Sequence, residues 1–165
     1  LGRLDCALLY NPAVNANMRF RHVHTEELYL IGSAKDGREL PDSVPLATLG
    51  KYPLIIPSPL HSVRQLIEAD TARYGVSLDI RLEIDSVRSL LDLVERGVGY
   101  GILSRNAVLA RRGPHGLRAV PIVMPNIVTR LVVATPTQRP MSAITEQALI
   151  LVDELIAEGK LDPRD

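Results

Sequence analysis

LIIPSPLHSVRQLIEADTARYGVSLDIRLEIDSVRSLLDLVERGVGYGIL, residues 54–103, is the stretch that decides the fold. Its apolar residues change period as the chain advances. Leu54-Ile55-Ile56 is a short unbroken apolar run, which predicts a buried strand. Pro57 to His61 is a turn. Val63, Leu66, Ile67 and Tyr74 then fall on one stripe of a helical repeat and predict a helix over 63–74. Ser62 with Gln65 three residues later reads as a capping box, and Gly75 as the stop. Ile80 to Ile84 alternates at period two, the mark of a strand. Val87, Leu90, Leu91 and Val94 return to helical spacing, with Gly97 as the stop. Tyr100 to Leu103 is a further strand, and Ser104 to Ala110 a short helical segment.

The flanks extend this pattern. Asp5 to Tyr10 reads as a short buried strand ended by Asn11-Pro12, and Ala13 to Arg19 as a loop. Phe20 to Ser33 is an extended segment with a strand at its end, around Leu28-Tyr29-Leu30-Ile31. Residues 34–45 hold Gly37, Pro41 and Pro45 and read as a surface loop. Pro114 to Pro125 is loop-rich, and Val128 to Thr135 is a strand. A last helix is expected from Ser142 to about Glu158, with Ile144, Ala148, Leu151, Val152 and Leu155 as its apolar face and Gly159 and Pro163 beyond its end. Strand–helix–strand–helix–strand with extended segments on either side predicts an α/β domain with a mainly parallel sheet.

Composition narrows the function classes. The 165 residues fit one domain or two small lobes. Apolar residues at 46% and charged residues at 23% exclude a disordered tail, a collagen-like chain or a coiled coil. Nineteen Lys and Arg balance nineteen Asp and Glu, so the segment has no basic excess with which to grip nucleic acid by itself. The one cysteine, Cys6, cannot form an internal disulfide, which favours a reducing compartment. No apolar run has the length of a membrane span. With no Trp and one Phe, the core must be aliphatic. Leu1 is not followed by a signal-peptide pattern, and the chain is expected to be a fragment of a longer one.

Ligands of open α/β sheets sit beyond the carboxyl ends of strands, where helices begin. Three such junctions are present: Ser58 to Ser62, Asp85-Ser86 and Ser104-Arg105. They read either as a polar cleft for a small ligand or as ordinary helix caps. Arg64 stands in the first turn of a helix, where a cation opposes the dipole. Glu68, Asp85 or a bound anion is the expected partner. The run Gly97-Val98-Gly99-Tyr100-Gly101 is not a phosphate loop, because it closes a helix and opens a strand. Gly99 and Gly101 are expected to let a helix pack closely. There is no G-x-S-x-G elbow, and His61 is too close in sequence to Ser62 to serve as its base. His22 and His24 share a strand face without a third ligand to complete a metal set. No catalytic residue, metal or cofactor is expected.

The segment Tyr52 to Val108 resembles the effector-binding domain of LysR-type transcriptional regulators, in the branch of the nitrogen-assimilation and cysteine-regulon regulators. Gly2 to Leu9, GRLDCALL, is similar to that family's opening strand, and Glu26 to Ile31, EELYLI, to its crossover strand. ATPTQRPMSAITEQALILVDEL is similar to its last strand, proline turn and C-terminal helix. The resemblance implies a two-lobed α/β fold of the periplasmic-binding-protein type (type II), with residues 27–130 as second lobe and residues 1–26 and 131–165 as an incomplete first lobe. It implies a small polar effector bound between the lobes, with contacts carried over onto Tyr10, Ser58, His61, Ser62 and Asp85. It also implies a DNA-binding domain N-terminal to this chain, a homo-oligomer (dimer or tetramer), a cytoplasmic location and no membrane. The strand Asp5 to Tyr10 would then present an apolar edge. The alternative on the same architecture is a solute-binding protein of a transport system. An enzyme is disfavoured by the missing constellations.

Overall fold

The computed structural model describes residues 4–35, 40–110 and 116–157. The chain divides into two compact units, one of residues 27–129 and one of residues 1–26 and 130–165. The boundaries fall inside two strands, β2 (Met18–Ser33) and β8 (Val128–Pro136).

The unit of residues 27–129 is a sheet covered on both faces. β4 (Pro53–Ile56) lies between β5 (Asp79–Glu83) and β6 (Tyr100–Ser104), parallel to both. This is the β–α–β connection that the middle of the sequence predicts. The expectation of a mainly parallel sheet fails outside that core. The end of β2 runs antiparallel to β6 on one side and to β7 (Leu117–Val123) on the other. β3 (Val44–Pro45) adds parallel to β7. So 114–125 is no plain loop, since most of its described part is a strand.

Pleating sorts the apolar residues onto two faces. Leu28, Leu30, Leu54, Ile56, Tyr100 and Ile102 pack with Ile67 of α1 (Ser62–Arg73). Ile31, Ile55 and Leu103 turn the other way, onto Leu90, Leu91 and Val94 of α2 (Val87–Glu95) and Val108 of α3 (Arg105–Leu109). This is why Leu54-Ile55-Ile56 is an unbroken run: neither face meets water. A Cβ on Gly101 would come within 2.7 Å of Leu90 Cδ2, so the missing side chain lets α2 seat against β6. Gly99 differs from expectation, because its close neighbours are Pro53 O and Ile55 of the adjoining strand rather than a helix. Gly75 and Gly97 take φ of +66° and +74° just past α1 and α2, the left-handed stop that other residues disfavour.

In the other unit, β1 (Ala7–Tyr10) pairs antiparallel with β8, Ala7 opposite Ala134 and Tyr10 opposite Leu131. Asn11, at φ 44°, ends it: its N–H donates to Arg130 O at 2.9 Å and its Oδ1 accepts from Arg130 N at 2.8 Å. β1 is not the buried strand expected, for Leu8, Leu9 and Tyr10 are exposed. α4 (Ala143–Ala157) begins after Ser142, whose Oγ accepts from Thr145 N. Its expected apolar face is largely exposed, Ile144 at 83% and Leu151 at 56%. Thr145 is the buried residue near its start, and Arg21 pairs with Asp153 at 2.7 Å. The expected stops Gly159 and Pro163, and Gly37 and Pro114 of the expected loops, lie outside the described residues.

Candidate functional site

The carboxyl ends of β4 and β5 lie side by side because those strands are parallel, so the chain leaving each arrives at the same end of the sheet. Ile84 N donates to Ile56 O and extends the ladder one step past β5. The next residue, Asp85, then reaches the β4–α1 loop: its Oδ1 accepts the Ser58 backbone N–H at 2.8 Å. The structure thus brings the first two sequence junctions together. The Ser58 N–H, and the Ser58 hydroxyl after it, hold the Asp85 carboxyl below the ordinary aspartate range, with His61 adding in the same direction. Asp85 is exposed, so its remaining lone pairs face solvent.

His61 closes the loop. Its backbone N–H donates to Ser58 O at 3.0 Å, a tight turn. It is also the N-cap of α1, a role the sequence assigns to Ser62. The His61 backbone is extended, and its Nδ1 accepts from Val63 N at 3.3 Å. With Nδ1 accepting, the neutral ring carries its proton on Nε2, a donor. Ser62 is the first helical residue, which relieves its hydroxyl of the capping task. Ser58, His61 and Ser62 are all half-buried. Gln65 does not reach back as a capping box would; its Nε2 donates to Pro59 O.

Arg64 is the group that sequence reasoning located but did not place. It is buried, at 5% exposure. Its Nε and Nη2 both face Glu68 Oε1, at 2.8 and 2.7 Å. Its Nη1 donates to Pro57 O at 3.0 Å and lies 3.2 Å from Glu83 Oε1. Glu68 was one expected partner, whereas Glu83 at the end of β5 takes the place foreseen for Asp85. Glu83 is set there by the register of β5 on β4, which places it opposite Ile56 at the strand end, next to the start of α1.

The other candidates separate from this group. Ser86 caps α2, its Oγ accepting from Ser89 N at 3.3 Å. Ser104 stands before the five-residue α3 and makes no side-chain cap bond. Tyr10 belongs to the other unit, where burial and then the nearby Glu26 carboxylate raise its phenol above the usual tyrosine value. His22 Nε2 shares a 2.8 Å hydrogen bond with Thr25 Oγ1. No group of three metal-ligating side chains forms among the described residues. None of their helices is long and apolar enough to cross a membrane.

Ser58, His61, Ser62 and Asp85 thus gather into a small polar surface beyond the carboxyl ends of parallel strands, the place where open α/β folds bind ligands. Residues 1–156 match the family model of the LysR substrate binding domain, and the chain belongs to that family. It is 26% identical over 166 residues to the nitrogen assimilation regulatory protein nac of Klebsiella aerogenes, a match covering 99% of this chain and 53% of that protein. Its fold is similar to the regulatory domain of CcmR from Synechocystis PCC6803, solved in complex with 2-PG (TM-score 0.81, 18% identity, 92% of this chain and 73% of that one). It is similar also to the effector binding domain of QuiR in complex with shikimate (TM-score 0.79, 17% identity, 91% and 70%). The fold is therefore the type II periplasmic-binding-like α/β fold of this family. It is also 26% identical over 107 residues to the HTH-type transcriptional regulator BbuR of Bordetella bronchiseptica, a match covering 65% of this chain and 33% of that protein, so the matches span between a third and about half of the length of these two curated relatives.

Proposed function

We propose that this chain is the ligand-sensing domain of a LysR-type regulator, binding a small polar effector at Ser58, His61, Ser62 and Asp85, while a separate N-terminal domain contacts DNA. The family match over residues 1–156 supports the regulator reading. The observation that carries the site is the 2.8 Å bond between Ser58 N and Asp85 Oδ1, which draws two loops into one polar surface. The regulator is proposed to be cytoplasmic and to act as a homo-oligomer, a dimer or tetramer, whose subunit pairing the effector biases by binding one arrangement more tightly than another.

The chemistry bounds the effector. Asp85 stays ionised at neutral pH and accepts hydrogen bonds only, so it calls for a hydroxyl or an amine. It repels a bare inorganic anion. His61 Nε2–H and the Ser62 hydroxyl call for an acceptor, such as a carboxylate oxygen. A small hydroxy acid or amino acid meets both demands.

Calorimetric titration with a panel of such compounds tests the reading. Ser62→Leu is expected to weaken binding of any hit by at least about tenfold, or roughly 1.4 kcal/mol. Its melting temperature should stay close to the parent's, because His61 and not Ser62 caps α1. Unchanged affinity in Ser62→Leu contradicts the site.

A further inference from the structure

The peptide group between Pro57 and Ser58 is held at both ends. Its carbonyl accepts from Arg64 Nη1 at 3.0 Å, and its N–H donates to Asp85 Oδ1 at 2.8 Å. In a planar trans peptide the C=O and N–H point in opposite directions, so rotating the plane to relax one bond misdirects the other. The guanidinium that grips the carbonyl is itself fixed. Glu68, one turn along α1, takes Nε and Nη2, and Glu83, two residues before Asp85, takes Nη1. A buried cation with this many acceptors has little rotamer freedom. Its placement in the first turn of α1, electrostatically unfavourable toward the helix dipole, calls for a compensating role.

We propose that Arg64 is a positioning residue of the effector site: by holding the Pro57 carbonyl it fixes the Pro57–Ser58 peptide plane so that the Ser58 N–H meets Asp85. This rests on the reading of Ser58 and Asp85 as effector contacts, yet the clamp itself can be tested without an effector. Without Arg64's grip the peptide is free to rotate, the Asp85 carboxylate loses its donor, and the loop presents Ser58 in many orientations instead of one. A purely stabilising role for Arg64 predicts none of this in the folded protein.

The experiment is an NMR titration of the Asp85 side-chain carboxyl in the 165-residue chain, with amide exchange at Ser58, for the parent, Arg64→Lys and Glu83→Ala. Arg64→Lys keeps the positive charge but offers one ammonium where a fork served three acceptors. The Asp85 midpoint is expected to rise by about half a pH unit or more, toward the ordinary aspartate value, and Ser58 exchange to quicken about tenfold. The Ser89 amide at the α2 cap should stay unchanged. If Arg64→Lys does not fold, Glu83→Ala decides, since it removes an exposed anchor and leaves Arg64 paired with Glu68. Deleting a neighbouring negative charge would by itself lower the Asp85 midpoint, so a rise there supports the clamp by its sign. An Asp85 midpoint that stays put or falls in the folded variants overturns it. If Asp85 responds as expected but no hydroxy or amino acid binds the parent, the clamp stands and the effector reading falls.

Discussion

The two units contain similar apolar residues and treat them differently. In residues 27–129 the strands are enclosed by α1 on one face and by α2 and α3 on the other, and Leu30, Leu54, Ile55, Ile56 and Ile102 are wholly buried. In the other unit Leu8 of β1 is 52% exposed, and Ile144 and Leu151 of α4 stand in solvent. Burial, and not hydrophobicity alone, makes a residue structural, because only area removed from water contributes. The loops proposed to bind effector belong to the enclosed unit, one between β4 and α1 and the other between β5 and α2.

The comparison can be broken most directly in the core. Leu30→Ala in β2 is expected to cost about 3 kcal/mol in urea unfolding, through lost burial and the cavity left behind. Leu8→Ala in β1 is expected to cost no more than about 0.5 kcal/mol. Equal costs would erase the distinction between the units. Gly101→Val sharpens it by testing how closely α2 is seated. A Cβ there meets Leu90, so a loss of about 2 kcal/mol is expected from overpacking.

The smallest effect concerns pH. The folded pKa of Asp85 lies below its unfolded value, so its contact with Ser58 contributes stability above the unfolded value. That contribution fades as pH falls through the folded value. The stability difference between the parent and Asp85→Asn should therefore be constant near neutrality and shrink in acid below the ordinary aspartate range. A difference that grows in acid would reverse the assignment.

Legibility in the sequence follows the same division. β4, α1, β5, α2 and β6 are readable because each buries a definite face and so carries a definite period. β7 is hidden by Pro121, which reads as a loop residue although Val120 and Ile122 on either side are buried. β2 is hidden by its polar middle, where Arg21, His22, Thr25 and Glu27 are exposed, so one 16-residue strand looks like two apolar fragments. Antiparallel pairing of β2 with β6 and β7 leaves no local mark, since direction depends on partners distant in the chain. At the site, the serines, His61 and Asp85 were visible as residue types at strand ends. Which of them caps the helix was not visible, because Ser62 and His61 are adjacent and each can accept from an N–H of the first turn, Ser62 from Gln65 and His61 from Val63. The Arg64–Glu83 pair likewise needed the strand register to be seen.

The central claim is that the β4–α1 loop and Asp85 form one ligand surface. Its most direct test is a backbone-amide NMR map recorded as the parent chain is titrated with each small hydroxy acid or amino acid that binds in calorimetry. The account predicts that shifts concentrate at Ser58, His61, Ser62 and Asp85. Shifts confined to another region, such as β3 and β7, with these four amides unmoved, would contradict it.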